Sequence, residues 1–277
     1  MNKKQFDLTI LPLKENDQKK RLNRDVDDRL PNVDNGICVL LLAPPRQGKS
    51  LLITNMLASS QFLKHYFSNV YLIGGTIKND KSLRPLVKMY ESTTFDYLDD
   101  NLVKSILEYQ NQFEEDEKSN MAIVVDDCIA LPQFQNRNSS IARLSSNYRH
   151  ILRGRNGGGM LLFSSQKLTS IPTTIRSCAN VIILGRTTNI AQRKLLIDEY
   201  ADSFGGQEYF NSMMNHTFKD KYSFLCLYID GNNLISEPCA YKNFTELLFP
   251  NNKVKHEDVS MKNIKQNKNV DLENNIC

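Results

Sequence analysis

The chain has 277 residues, 40% of them apolar and 24% charged, enough to bury one large core and still carry polar tails. A net charge of +4 is too small to argue for a nucleic-acid partner by itself. No apolar run approaches the length of a membrane helix and the opening MNKKQFDLTILPLKEND lacks a signal-peptide core, so membrane and secreted classes are set aside and an intracellular protein is expected.

Residues 1–35 mix both charge signs densely around one apolar patch, Phe6 to Leu13; they are read as a charged extension, mobile outside that patch. The apolar run Ile37–Leu42 predicts a strand, 43–48 a loop and 49–59 a helix. A second strand is expected over 69–74, and an amphipathic helix over 99–113 with Leu102, Ile106 and Leu107 on one face. After an acidic turn at 114–120, the β-branched run 121–125 predicts a strand ending in Asp126-Asp127, followed by a helix over 139–152. Buried strands are expected at 158–164 and 180–184, and a helix at Ile190–Tyr200. A late strand at 222–229 is predicted to turn at Gly231-Asn232-Asn233 and return over 234–240 as a hairpin. From 250 the composition shifts to Asn and Lys, which predicts a disordered tail. The domain reading is therefore 36–249 for one α/β unit between two extensions, with no internal repeat. Cys38, Cys128, Cys178, Cys226, Cys239 and Cys277 show no paired CxxC spacing, which argues against zinc, and the three in predicted core strands read as small apolar fillers in a reducing compartment.

The chemistry lies at the strand ends. Gly48-Lys49-Ser50 after a strand and before a helix has the form of a phosphate-binding loop. Pro45, Arg46, Gln47, Gly48, Lys49, Ser50 and Leu51 are the expected nucleotide contacts, with Lys49 on the phosphates and Ser50 on magnesium. The helix amino end adds partial positive charge toward the same anion. The first glycine of G-x-x-x-x-G-K-[ST] is replaced by Ala43, and Pro44 and Pro45 stiffen the loop without donating NH groups. At the end of the 121–125 strand, a buried carboxylate calls for a cation, so Asp126 is assigned to the metal. Asp127 is assigned to orient or deprotonate the attacking water. ATP and Mg²⁺ are the expected ligands.

Between Cys128 and Ile197 there is no Asp or Glu, while Arg137, Arg143, Arg149, Arg153, Arg155, Lys167, Arg176, Arg186, Arg193 and Lys194 fall inside that span. Such a stretch creates positive potential toward a polyanion, either ATP phosphates or a DNA backbone. Gln166, just past an apolar strand, can hydrogen-bond the attacking water or sense the γ-phosphate.

The segments APPRQGKSL (43–51), IVVDD (123–127), RHILRGR (149–155), LFSSQ (162–166) and IPTTIR (171–176) occur in an order that resembles the FtsK/HerA superfamily of DNA-pumping ATPases. The likeness is nearest to the poxvirus-type genome-packaging ATPases of large double-stranded DNA viruses and virophages, and covers roughly half the chain. It implies a RecA-like P-loop core, with a mainly parallel sheet, helices on both faces and a C-terminal hairpin. It also implies a homo-oligomeric ring that hydrolyses ATP and drives double-stranded DNA, without sequence preference, into a capsid in the host cytoplasm or virion, with no membrane partner. Lys49 and Ser50 match the family's Walker A roles, Asp126 and Asp127 its Walker B pair, and Gln166 its sensor. An arginine acting on the neighbouring subunit's nucleotide is expected among Arg149, Arg155 and Arg176, with Arg155 favoured for its place before the glycine-rich entry to the sensor strand. This chain departs from the pattern at Ala43, and at Asp127, where cellular members carry glutamate. Candidate DNA loops are 133–140, 154–159 and the Lys78, Lys81, Arg84 segment. The alternatives are a nucleotide-dependent switch or scaffold, although no NKxD guanine motif is present, and a small-molecule kinase with an arginine-bearing lid.

Overall fold

The computed structural model describes residues 27–127, 136, 138–155, 157–232 and 235–249. Among these, one sheet collects the strands β1 (Ile37–Leu42), β2 (Asn69–Ile73), β3 (Thr94–Phe95), β4 (Met121–Asp126), β5 (Met160–Ser165), β6 (Val181–Gly185), β7 (Phe224–Tyr228), β8 (Cys239–Lys242) and β9 (Glu246–Phe249). Their spatial order is β3-β2-β4-β5-β1-β6-β7-β8-β9. From β3 to β6 all pairings are parallel; β7, β8 and β9 add on antiparallel.

The central strand shows why. Every residue of β1 is buried, and alternation along a strand sends Cys38, Leu40 and Leu42 into one core and Ile37, Val39 and Leu41 into the other. Burying such side chains contributes about 1.5–3 kcal/mol each relative to exposure, which favours covering both faces of the sheet. The first core is closed by α3 (Asp100–Asn111), α4 (Ser140–Ile151), α5 (Thr173–Arg176), α6 (Ile190–Tyr200) and α7 (Gln207–Thr217). The second is closed by α1 (Lys49–Ala58) and α2 (Arg84–Met89). The chain leaves β1 toward β2 on one side, and later passes from β5 over to β6 on the other. That reversal puts a crevice at the carboxyl end of β1, where open α/β sheets bind ligands.

Several expected helix limits differ from the observed ones by a cap residue. Asp99 accepts from Leu102 N at 2.6 Å and Ser139 Oγ from Ala142 N at 3.3 Å, so α3 and α4 each start one residue later than the apolar pattern suggests. Residues 27–35 are not a mobile extension: Leu30 and Val33 are buried in the second core, and the packed unit begins ahead of residue 36. The expected hairpin pairs β7 with β8 antiparallel, but β8 begins only at Cys239, and Asn233 and Leu234 lie outside the described residues. Asn232 is buried, donates to Asp28 O at 3.1 Å and to Tyr241 Oη at 2.8 Å, and so anchors a longer connection before β8. The late strand starts at Phe224 instead of Tyr222, whose φ of 60° departs from extended backbone. The patch at Phe6 to Leu13, the tail from 250 and half of the loop 133–140 lie outside the described residues. Cys38, Cys226 and Cys239 are buried free thiols in strands, as fillers would be, and burial pushes the Cys239 thiol up to about 12. No described helix is long and apolar enough to cross a membrane.

Candidate active site

Register sets the site. Leu42 pairs with Ser165 and Asp126 with Ser164, so β1, β5 and β4 end together on one edge of the sheet. Beyond those ends stand the 43–51 loop, Gln166 and Asp127.

The loop leaves β1 through Ala43, whose N–H donates to Ser165 O at 3.0 Å and continues the parallel ladder. A methyl built on Gly185, at the end of the neighbouring β6, would lie 2.5 Å from Ala43 Cβ. The missing Cβ at Gly185 is what makes room for alanine where the motif has glycine. Arg46 (φ 62°) and Gly48 (φ 88°) both take left-handed backbone, which curls the loop; Gly48 then caps α1. Lys49 is buried at 8% exposure and its Nζ donates to Ala43 O at 3.0 Å, spanning the mouth of the loop. Ser50 is half-buried on the first turn of α1, while Leu51 is 55% exposed and faces away from the core.

Asp126 ends β4 and is 4% exposed. Burial pushes its carboxyl above the usual range; the Ser164 hydroxyl and Lys49 ammonium pull it back, and the Asp127 and Asp80 carboxylates add to the rise. Lys49 and Asp126 thus share one electrostatic environment. Gly74, at the end of β2, permits this crowding, because a methyl there would lie 2.6 Å from Asp126 O. Asp127 leaves the strand with φ 48°, a region aspartate tolerates better than most residues. Its N–H donates to Ser164 O at 3.3 Å, and its Oδ2 accepts from Gln166 Nε2 at 3.3 Å. Both side chains are exposed at the same edge.

The structure does not bring the expected arginines to this edge. Arg149, near the carboxyl end of α4, packs beside Gly36 ahead of β1 and pairs with Asp230 at 2.7 Å. Arg155 donates its N–H to Lys118 O near the start of β4. Both lie at the opposite end of six-residue strands, about 15–20 Å from the 43–51 loop. Arg176 closes α5 and is tied to Glu199 on α6 and to Thr173 Oγ1. The edge carries Arg186 instead, exposed directly after β6, together with Asp80 and the exposed Tyr222, none of which the motifs singled out as site residues. The glycines of 154–159 serve close packing: added methyls would fall 2.2 Å from Asn120 N at Gly154, 2.1 Å from Val33 O at Gly158 and 2.2 Å from Leu152 Cβ at Gly159.

No protein-family model and no curated protein matches the sequence. Among solved structures the chain is similar to the genome-packaging NTPase B204 from Sulfolobus turreted icosahedral virus 2. Its ATPγS complex is 16% identical, with 74% of this chain and 96% of that one covered, at a TM-score of 0.50. Its AMPPCP complex is 17% identical with the same coverage and TM-score 0.50. B204, the DNA-packaging ATPase from Sulfolobus turreted icosahedral virus, is 16% identical over 74% of this chain and 96% of that one, at TM-score 0.51. At this identity the likeness establishes the fold. The chain has a RecA-like P-loop NTPase core with a C-terminal antiparallel addition, the architecture that the family resemblance in its sequence implies.

Proposed function

We propose that this protein hydrolyses Mg·ATP and uses the energy to move double-stranded DNA, as a genome-packaging motor of a double-stranded DNA virus. The observation that carries the reading is the convergence of Lys49, Asp126, Asp127 and Gln166 on one sheet edge, with Asp126 electrostatically coupled to Lys49. Structures of similar fold that hold ATPγS and AMPPCP support nucleotide as the ligand.

The donor set suits magnesium: a buried carboxylate whose neighbours are a hydroxyl and further carboxylates offers hard oxygen ligands, and the buried charge gains from a cation. Ser50 and Asp126 would hold the ion, which when bound neutralises phosphate charge. Lys49 exchanges its bond to Ala43 O for the outer phosphates. Backbone N–H groups of 46–50 and the amino end of α1 hold the remaining phosphate oxygens. Asp127 orients the attacking water and accepts its proton, and Gln166, hydrogen-bonded to Asp127, is placed to turn toward the terminal phosphate. The acid-free span supplies the cationic surface for phosphate contacts that ignore base sequence. Residues of 149–155 act at the edge away from their own nucleotide, so any transition-state arginine among them serves a neighbouring subunit of a homo-oligomeric ring. Capsid protein is the docking partner, and the assembly site in the host cytoplasm the place of action.

ATP turnover measured with and without duplex DNA tests the proposal. The motor reading expects stimulation by DNA that disappears in Asp127→Asn while nucleotide binding is retained. DNA-independent turnover, or phosphate transfer to a small acceptor, refutes it.

A further inference from the structure

The phosphate loop has two flanks. Toward β5 and β4 lie Gln166 and the aspartates, which receive the terminal phosphate in the function proposed above. With the terminal phosphate on that side, the other flank of the loop, where β6 and β7 follow β1 in the sheet, is left for the sugar and base.

Tyr222 stands on that flank, two residues ahead of β7. A methyl built on Gly48 would lie 3.7 Å from Tyr222 Cδ1 and 3.8 Å from Phe224 Cζ, so the two rings border the loop. Phe224 is buried and fills the space beside Gly185; Tyr222 is 62% exposed. Packing therefore does not account for the tyrosine. Its φ of 60° is a conformation that aromatic residues rarely adopt, and such strain persists only where surrounding contacts impose it. Those contacts are visible. Asn243, in the turn between β8 and β9, accepts from Phe224 N at 2.8 Å through its side chain and donates to Ser223 Oγ at 3.2 Å. Its backbone N–H donates to Phe224 O at 2.9 Å. On the other side of Tyr222, Lys242 pairs with Asp220 at 2.6 Å. The chain is pinned before and after the tyrosine, and an exposed aromatic ring is held beside the phosphate loop.

We propose that Tyr222 is the stacking platform for the nucleobase of bound ATP. The inference rests on the reading of 43–51 as a nucleotide site and adds the base-binding residue. Stacking on an aromatic face is tolerant of base identity, so Tyr222 strengthens binding of purine nucleotides without separating adenine from guanine. An inorganic triphosphate has no base and gains nothing from it.

Isothermal titration of the full chain with Mg·ATP, Mg·GTP and Mg·triphosphate tests this. Tyr222→Ala is expected to weaken ATP and GTP in parallel, by about five- to a hundred-fold, with triphosphate unchanged, and Tyr222→Phe to bind all three like the parent. The chain contains no tryptophan, so Tyr222→Trp supplies a lone tryptophan, excited selectively over the tyrosines, whose emission ATP should quench and triphosphate should not. Unchanged ATP affinity in Tyr222→Ala overturns the stacking role, as does an equal loss for ATP and triphosphate, which would show a disturbed loop. If the parent chain binds neither ATP nor triphosphate, the nucleotide-site reading falls first, and this inference with it.

Discussion

Two adjacent glycines make opposite predictions. A methyl added at Gly74 would sit 2.6 Å from Asp126 O and 3.3 Å from Asp126 Cβ, whereas one at Gly75 would meet only Asp96 O, at 3.8 Å. Neither glycine has positive φ, so backbone strain is not in play. The atoms opposed to Gly74 belong to the backbone of β4 and cannot swing aside. The strand end must yield by about 0.8 Å, which as overpacking costs about 1–3 kcal/mol. It also moves the carboxylate proposed to bind the metal, and displacements near 1 Å at a reacting centre cost about a hundred-fold in rate. Gly74→Ala should therefore lose about 1–3 kcal/mol in urea unfolding and about ten- to a hundred-fold in ATP turnover at saturating nucleotide. Gly75→Ala should be neutral or slightly stabilising, by up to about 1 kcal/mol, with turnover unchanged. Equal activity in the two variants would refute the claim that the approach of β2 to β4 sets the position of Asp126.

Lys49→Ala removes a charge-assisted bond to phosphate worth about 1.5–3 kcal/mol, so Mg·ATP affinity should fall about ten- to a hundred-fold by titration calorimetry. For Asp126, the folded carboxyl lies above its ordinary value of 3.8 because it is buried, so the nucleotide-free protein loses stability as pH rises from below 3.8 through the raised folded value. Asp126→Asn should flatten that slope and raise the urea midpoint at neutral pH while abolishing turnover; a pH profile like the parent's would contradict the assignment. Arg155→Ala removes an exposed side chain at the far edge, and should leave unfolding within about 0.5 kcal/mol and the intrinsic ATP affinity unaltered, as checked by urea melts and calorimetry.

The parallel half of the fold was legible because its strands are buried on both faces. Continuous runs such as Ile37–Leu42 have few alternatives once a helix period follows. The helix α7 carries the same kind of signal, with Phe210, Met213, Met214 and Thr217 recurring at helical spacing. The short β3 and β9 carry too few residues to show a period; partners hold them in the sheet. Residues contiguous with a strand end, such as Asp126 and Gln166, can be placed on an edge from sequence, since the strand fixes which end they occupy. Arg149 and Arg155 lie in segments whose end of the sheet the sequence does not fix, and only the assembled strands place them at the edge opposite the 43–51 loop. Gly74, Gly185 and Tyr222 were missed for a related reason. Each acts through contacts with a neighbouring strand or loop, and only the assembled sheet reveals them.

A crystal structure with magnesium and a non-hydrolysable ATP analogue would decide whether this sheet edge holds the nucleotide. Lys49 Nζ should be released from Ala43 O onto the phosphates, with the metal between Ser50 and Asp126 and the base over Tyr222. Phosphates bound away from the 43–51 loop, or a metal held without Asp126, would contradict this arrangement.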